Sequence, residues 1–264
     1  MLPYFELFGK TIGLYQIMAL CGIFATGICS CTATRKTGHD DNDTISLLLF
    51  SAIGVFIGGH LLYGIVNYTY IIYAINNLEK FNSIKIIFDA LLVIFGGSVF
   101  YGGLLGGIFA GHLYINKNEN KKYLLDIVTP AIPLFHFFGR IGCFLGGCCF
   151  GIESSIGFTT EHGIVEEANG IQRFPVQLLE ALFNVFLFLI LAKLRKKGMF
   201  KDKMLYIYLL MYSTGRFFIE FLRGDDLRGK WFLLSTSQII SIVLFLSVLI
   251  IVRGKKRKFN HITY

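Results

Sequence analysis

The sequence predicts an all-α, polytopic membrane protein: seven transmembrane helices with a small extracytoplasmic loop or cap. Hydrophobic residues fill 54% of the 264 positions and charged residues only 16%, whereas a soluble domain carries about a quarter charged residues. The apolar residues also gather into blocks long enough to span a bilayer, roughly 17–25 residues each. Within the blocks hydropathy is continuous rather than alternating, which excludes a membrane barrel. In lipid only helices and closed barrels satisfy every backbone group, so the blocks are helices.

The blocks run at about 11–32, 45–73, 84–115, 124–150, 175–194, 203–222 and 232–252. The first follows MLPYFELFGK, which lacks a basic leader and a small-residue cleavage site, so it reads as a span rather than a removable signal peptide. The third and fourth carry the glycine runs GGSVFYGGLLGG at 96–107 and GRIGCFLGGCCFG at 139–151. Small residues at helical spacing let helix backbones approach closely, and the lost side-chain volume would also admit lipid chains. Between the fourth and fifth blocks, residues 151–175 form the largest outward gap, polar enough for an extracytoplasmic loop. With no linker, repeat or low-complexity segment, residues 1–264 read as one integral-membrane domain.

Charge fixes the orientation. Sixteen of the 25 lysines and arginines lie in alternate gaps: RKTGHDDND, NKNENKK, KLRKKGMFKDK and the tail RGKKRKFNHITY. The positive-inside rule then puts the N-terminus outside and the C-terminus in the cytoplasm. The net charge of +8 is thereby read as topology and attraction to an anionic leaflet, not as nucleic-acid binding.

Two arginines, Arg140 and Arg216, fall inside spans. A charged side chain at mid-membrane costs roughly 2.5–3.5 kcal/mol even on lenient scales, so each needs a partner. Both fourth and sixth spans run outward, and both arginines lie near the outer ends, at one expected depth. On the sixth span, Tyr212, Arg216, Glu220 and Arg223 share a helix face, so Glu220 can neutralise Arg216. Arg140 has no acidic neighbour on its own helix and must find its anion on another helix or on a ligand. A guanidinium fork matches phosphate and stays charged in apolar surroundings, and the abundant phosphates at that depth belong to phospholipids.

These residues resemble the prolipoprotein diacylglyceryl transferase family along nearly the whole chain. GRIGCFLGGCCFG occupies the place of the family's signature on the fourth helix. LYQIM with Tyr15, GGHLLYGIV with His60, GGSVFYGGLLGG with Tyr101, DIVTPAIPL, RFPVQLLEAL, YSTGRFFIEFLRGDD and LSTSQIISI follow the family's other motifs in order. The resemblance implies an enzyme of the bacterial plasma membrane that moves the diacylglyceryl group of phosphatidylglycerol to the lipobox cysteine of an exported prolipoprotein. It implies no cofactor and no metal. By motif match Arg140 is the lipid-binding arginine and Arg216 its partner. Tyr212 and Glu220 orient Arg216, Gln177 and Glu180 support the site from the fifth helix, and Tyr15 contributes from the first.

The chain departs from the family at three points. Cys143 and Cys148 stand where the signature has Asn and Glu, Tyr101 where the third helix has a histidine, and His60 where the second has an arginine. A phenol with a pKa near ~10 is a poor base at neutral pH, although Tyr101 can donate to phosphate and His60 is a candidate base. Two other readings therefore stand beside lipoprotein modification. One is a relative that delivers a lipid-derived group to a different acceptor. The other is a membrane thiol–disulfide oxidoreductase built on Cys143, Cys148 and Cys149. A zinc site from His136, Cys143 and Cys148 lacks a recurrent spacing, and small apolar filler is the plain reading of all six cysteines.

Overall fold

The computed structural model describes residues 3–117, 119–225, 230–231 and 234–260. A hairpin of β1 (Tyr4–Leu7) and β2 (Lys10–Gly13) precedes α1 (Leu14–Arg35) and α2 (Asn42–Val66). There follow α3 (Tyr68–Asn76), α4 (Ile84–Phe95), α5 (Phe100–Lys117), α6 (Tyr123–Val128) and α7 (Ile132–Gly146). After β3 (Glu153–Thr159) and β4 (Gln172–Arg173) come α8 (Val176–Lys196) and α9 (Met204–Ile219), and a short hairpin of β5 (Lys230–Trp231) and β6 (Leu234–Ser235) leads into α10 (Thr236–Asn260).

Among the described residues, five stretches are long and apolar enough to cross a membrane: Leu14–Arg35, Asn42–Val66, Tyr123–Gly146, Val176–Lys196 and Thr236–Gly254. Their outer faces suit lipid, since Phe24 and Ile28 on α1 and Phe56 and Leu61 on α2 are more than half exposed. The expected third and sixth spans look different. A non-helical break before Phe100 divides the third into α4 and α5. The sixth is the 16-residue α9, about 24 Å at 1.5 Å per residue, which runs directly into a 3-10 turn at Glu220–Leu222.

The chain divides into two compact units, Met1–Ala33 with Leu125–Tyr264, and Thr34–Leu124. In the second unit α2 and α5 lie antiparallel with their backbones almost touching. A Cβ on Gly58 would come within 2.2 Å of the Gly102 carbonyl oxygen, and one on Gly106 within 2.1 Å of that of Gly54. Two small-x-x-x-small stripes thus face one another. The third-block glycines are filled by the neighbouring helix rather than left open for lipid chains. Ser83 caps α4 by accepting from Ile86 N–H at 3.3 Å, and Asn67 ends α2 by donating through Nδ2 to the Tyr63 carbonyl at 2.9 Å.

In the first unit α1 packs antiparallel on α7. A Cβ on Gly142 would meet Tyr15 Cδ2 at 3.0 Å and one on Gly22 would meet Phe135 at 3.0 Å, while Thr26 donates to the Ala131 carbonyl at 3.3 Å. Leu187 and Leu191 of α8 with Met204 and Tyr208 of α9 form the buried core. Asp126 pins the start of α9 by accepting from the backbone N–H groups of Asp202 and Met204, at 2.5 and 3.2 Å.

At the other end of α7 the backbone is laced to its neighbours. Ile152 N–H donates to the Leu222 carbonyl, Gly224 N–H to Phe150 and Phe174 N–H to Ile152, at 2.9–3.0 Å. A Cβ on Gly151 would lie 2.3 Å from the Phe174 oxygen, and one on Gly224 2.3 Å from the Gly151 oxygen. Only glycine allows these three backbones to meet. The exit of α7, the entry of α8 and the exit of α9 are therefore held at one level.

Candidate functional site

Below that lacing, three arginines converge on one carboxylate. Glu180 lies on the first turns of α8, buried with its side chain 5% exposed. Its Oε2 takes the Nε of Arg140 from α7. Its Oε1 accepts from Arg216 Nη1 at 2.8 Å and from Arg223 Nη1 at 2.9 Å. Glu220 binds Arg216 Nη2 at 2.6 Å, one helical turn away. Asp225 grips Arg223 through both oxygens, at 2.9 and 2.6 Å. Three cations and three anions alternate, which is how buried charge is tolerated in an apolar interior. Burial alone would lower the pKa of Arg223, but the hydrogen bonds it donates to Asp225 and the charge of Glu180 outweigh it and hold the guanidinium above its ordinary value.

The smaller supports come from the flanking elements. Ser237 and Ser235, at the entry to α10, reach Arg216 Nη2 at 3.4 Å and Glu220 Oε1 at 2.9 Å. Asn184 donates to the Glu180 carbonyl at 2.8 Å. Gln177 donates to the Cys148 carbonyl at 2.8 Å, so its amide holds the turn after α7. Tyr212 packs its ring 5.4 Å from that of His136, whose Nδ1 is 3.3 Å from the Tyr208 hydroxyl.

The three arginines are not equivalent. Arg216 and Arg223 are 8% and 3% exposed, against 16% for Arg140. Among the described residues Arg140 has a single ion partner, through Nε. Among the described residues its two Nη groups donate to no side chain or carbonyl. Beside it, a Cβ on Gly139 would meet nothing within 4 Å.

The structure thus brings together Arg140, Arg216, Glu180 and Glu220, with Gln177, Cys143, Cys148 and Tyr15 around the same stretch of α7. The two expected arginines meet on one carboxylate, and the anion that Arg140 lacks on its own helix is Glu180. Arg223, Asp225, Ser235 and Ser237 join the network without having been singled out as site residues. Arg223 shares the helical face of Arg216, which was the available signal; the serines carry no sequence signal of their own. His60 lies in the other unit, where its Nδ1 is 2.6 Å from the Phe95 carbonyl and its ring packs on Phe56. Tyr101 is on α5, and its side chain lies outside the described residues.

Comparison with known proteins accords with this arrangement. Residues 3–253 match the family model for prolipoprotein diacylglyceryl transferase. The chain is 34% identical over 241 residues to the phosphatidylglycerol–prolipoprotein diacylglyceryl transferase of Clostridium tetani, covering 90% of this chain and 91% of that one. It is 34% identical over 262 residues to transferase 2 of Clostridium perfringens, covering 96% and 94%. Against the Clostridioides difficile transferase it is 30% identical over 260 residues, covering 97% and 96%. On match length and identity alike, the chain belongs to the prolipoprotein diacylglyceryl transferase family.

Proposed function

We propose that this protein transfers the diacylglyceryl group of phosphatidylglycerol to the lipobox cysteine thiol of an exported prolipoprotein. The observation that carries the reading is the half-engaged fork of Arg140, with both Nη groups available beside a network that already holds its Nε. A phosphate diester offers two oxygens to such a fork. In the reaction the thiol sulfur bonds to the glyceryl carbon while the carbon–oxygen bond to phosphate breaks. The thiol proton is given up and glycerol phosphate leaves. Negative charge grows on that phosphate, so a guanidinium aimed at it stabilises the transition state more than the ground state.

In this reading Glu180 orients Arg140, while Glu220 and Tyr212 set Arg216 behind it. Tyr15, Cys143, Cys148 and Gln177 are assigned to substrate binding, while roles for His60 and Tyr101 rest on the family resemblance alone. An apolar cleft of about 210 Å³ between α9 and α10, lined by Ser213, Phe217, Ser241 and Phe245 among others, suits a hydrocarbon chain one turn from Arg216. The membrane arrangement that fits the charges is seven crossings of the bacterial plasma membrane, with the N-terminus outside and the C-terminus cytoplasmic. The sixth crossing is then α9 lengthened by its 3-10 turn. Residues 151–175 form the extracytoplasmic loop of a single transferase domain.

The test is transfer of labelled diacylglycerol from phosphatidylglycerol to a lipobox peptide by the purified full chain. Arg140→Ala and Arg216→Ala are each expected to reduce the rate by about 100-fold or more, the scale of losing one preorganised charge donor. Activity that survives both substitutions would overturn the reading. Cys143 and Cys148 favour one second reading, transfer to a different acceptor, because they replace polar family residues beside Arg140. Consumption of phosphatidylglycerol without modification of the peptide would establish it.

A further inference from the structure

We propose that Cys143, Cys148 and Cys149 form a three-thiolate binding site for a soft d10 metal cation of the zinc, copper(I) or cadmium class. Their three Sγ atoms all lie within 4.8 Å of one another, although the residues are five and six positions apart along the chain. Continued helix would turn Cys148 and Cys149 about 140° and 240° away from Cys143. The end of α7 prevents this.

Gly147 is left-handed at φ 70°. Its N–H donates to the Phe144 carbonyl at 3.2 Å, and Cys148 N–H donates to the Cys143 carbonyl at 3.1 Å. That pair of bonds is the Schellman motif, and it folds the chain back over the last helical turn. Cys149 is then left-handed as well, at φ 56°, a conformation that costs a non-glycine residue of order 1 kcal/mol or more. The surrounding backbone holds it there: Gln177 fixes the Cys148 carbonyl, and the next residues are laced to the entry of α8 at Phe174 and to the exit of α9 at Leu222. Two successive departures from helix bring three sulfurs together, and the frame that does so is rigid.

The donor set decides the ligand. The cluster contains sulfur alone; His136, weighed as a ligand from the sequence, is not in it. Hard cations take oxygen, so magnesium and calcium are excluded, whereas thiolates select zinc and copper(I). With a metal–sulfur distance near 2.3 Å, tetrahedral geometry needs sulfurs about 3.8 Å apart. Small side-chain rotations reach that from the observed spacing. For a divalent ion the step is M²⁺ + 3 Cys–SH → [M(S–Cys)₃]⁻ + 3 H⁺, with a water molecule able to complete the coordination.

The test is titration of the reduced full-length protein in detergent with Cd²⁺, followed by the ultraviolet thiolate-to-metal charge-transfer band and by proton release. One ion bound per chain with three protons released is expected. Cys143→Ser, Cys148→Ser and Cys149→Ser should each weaken binding at least ten-fold, with the helical circular dichroism signal unchanged. The latter two lie outside α7, so they report even if Cys143→Ser misfolds. A variant carrying Cys21→Ser, Cys29→Ser and Cys31→Ser should bind as the parent does. The proposal is overturned if the folded protein gives no band, if the cluster substitutions leave affinity unchanged, or if the α1 cysteines prove to be the ligands. None of these readouts depends on lipid transfer, so the outcome is independent of the transferase reading.

Discussion

Glu180 is the residue on which most of the site depends. It is the common partner of Arg140, Arg216 and Arg223, and its removal would leave guanidiniums with their shared counter-charge missing in an apolar interior. Breaking one side of a buried pair costs about 3–5 kcal/mol, so Glu180→Ala is expected to lose stability on that scale, read as a lowered midpoint of thermal unfolding in detergent. Glu180→Gln, which keeps the shape and the Arg-facing oxygen, should lose less stability while still disturbing the aim of Arg140. The arginines were legible in the sequence because charge inside an apolar block is costly and must be satisfied. Their shared partner was legible only through the family resemblance: Glu180 sits in RFPVQLLEAL at the start of a span, where a carboxylate costs little and composition alone gives it no prominence. Serines 235 and 237 were invisible for the same reason, since a hydroxyl near a helix entry is unremarkable until the fold brings it beside an arginine.

The helices show what periodicity and length can supply and where they stop. Apolar runs marked seven blocks, and among the described residues five of them hold a helix long and apolar enough to cross a membrane; a run contains no mark for a break such as Asn67 or the interruption between α4 and α5. The contact of α2 with α5 depends on glycine at both helices, and bulk there has no room to move because the opposing atoms are backbone. Gly58→Leu or Gly102→Leu should therefore destabilise the Thr34–Leu124 unit by roughly 1–3 kcal/mol or more, the cost of overpacking, detectable as early local hydrogen exchange in α2 and α5. At the start of α9, Asp126→Ala removes the acceptor for two backbone N–H groups. A loss of about 1 kcal/mol is expected, as for other helix caps, and the same exchange measurement at residues 202–206 would report it.

For the molecule as a whole, charge asymmetry of the gaps supplied an orientation that no helix by itself reveals. Reporter fusions after residues 38, 120, 199 and 258 are expected to register as cytoplasmic, and fusions after residues 80 and 162 as external, if the positive-inside reading is right. A cytoplasmic signal from 162 would reverse the loop and the face on which the lipid head is met. The alternating ion network at Glu180 carries a consequence of its own. Six full charges that sum to nothing present no monopole, so the chamber exerts little pull on a head group until the two are almost in contact. Lipid would then arrive by two-dimensional diffusion rather than by electrostatic steering, and the turnover rate should stay nearly flat as ionic strength rises from about 0.05 M to about 0.5 M, a range over which a steered encounter slows markedly.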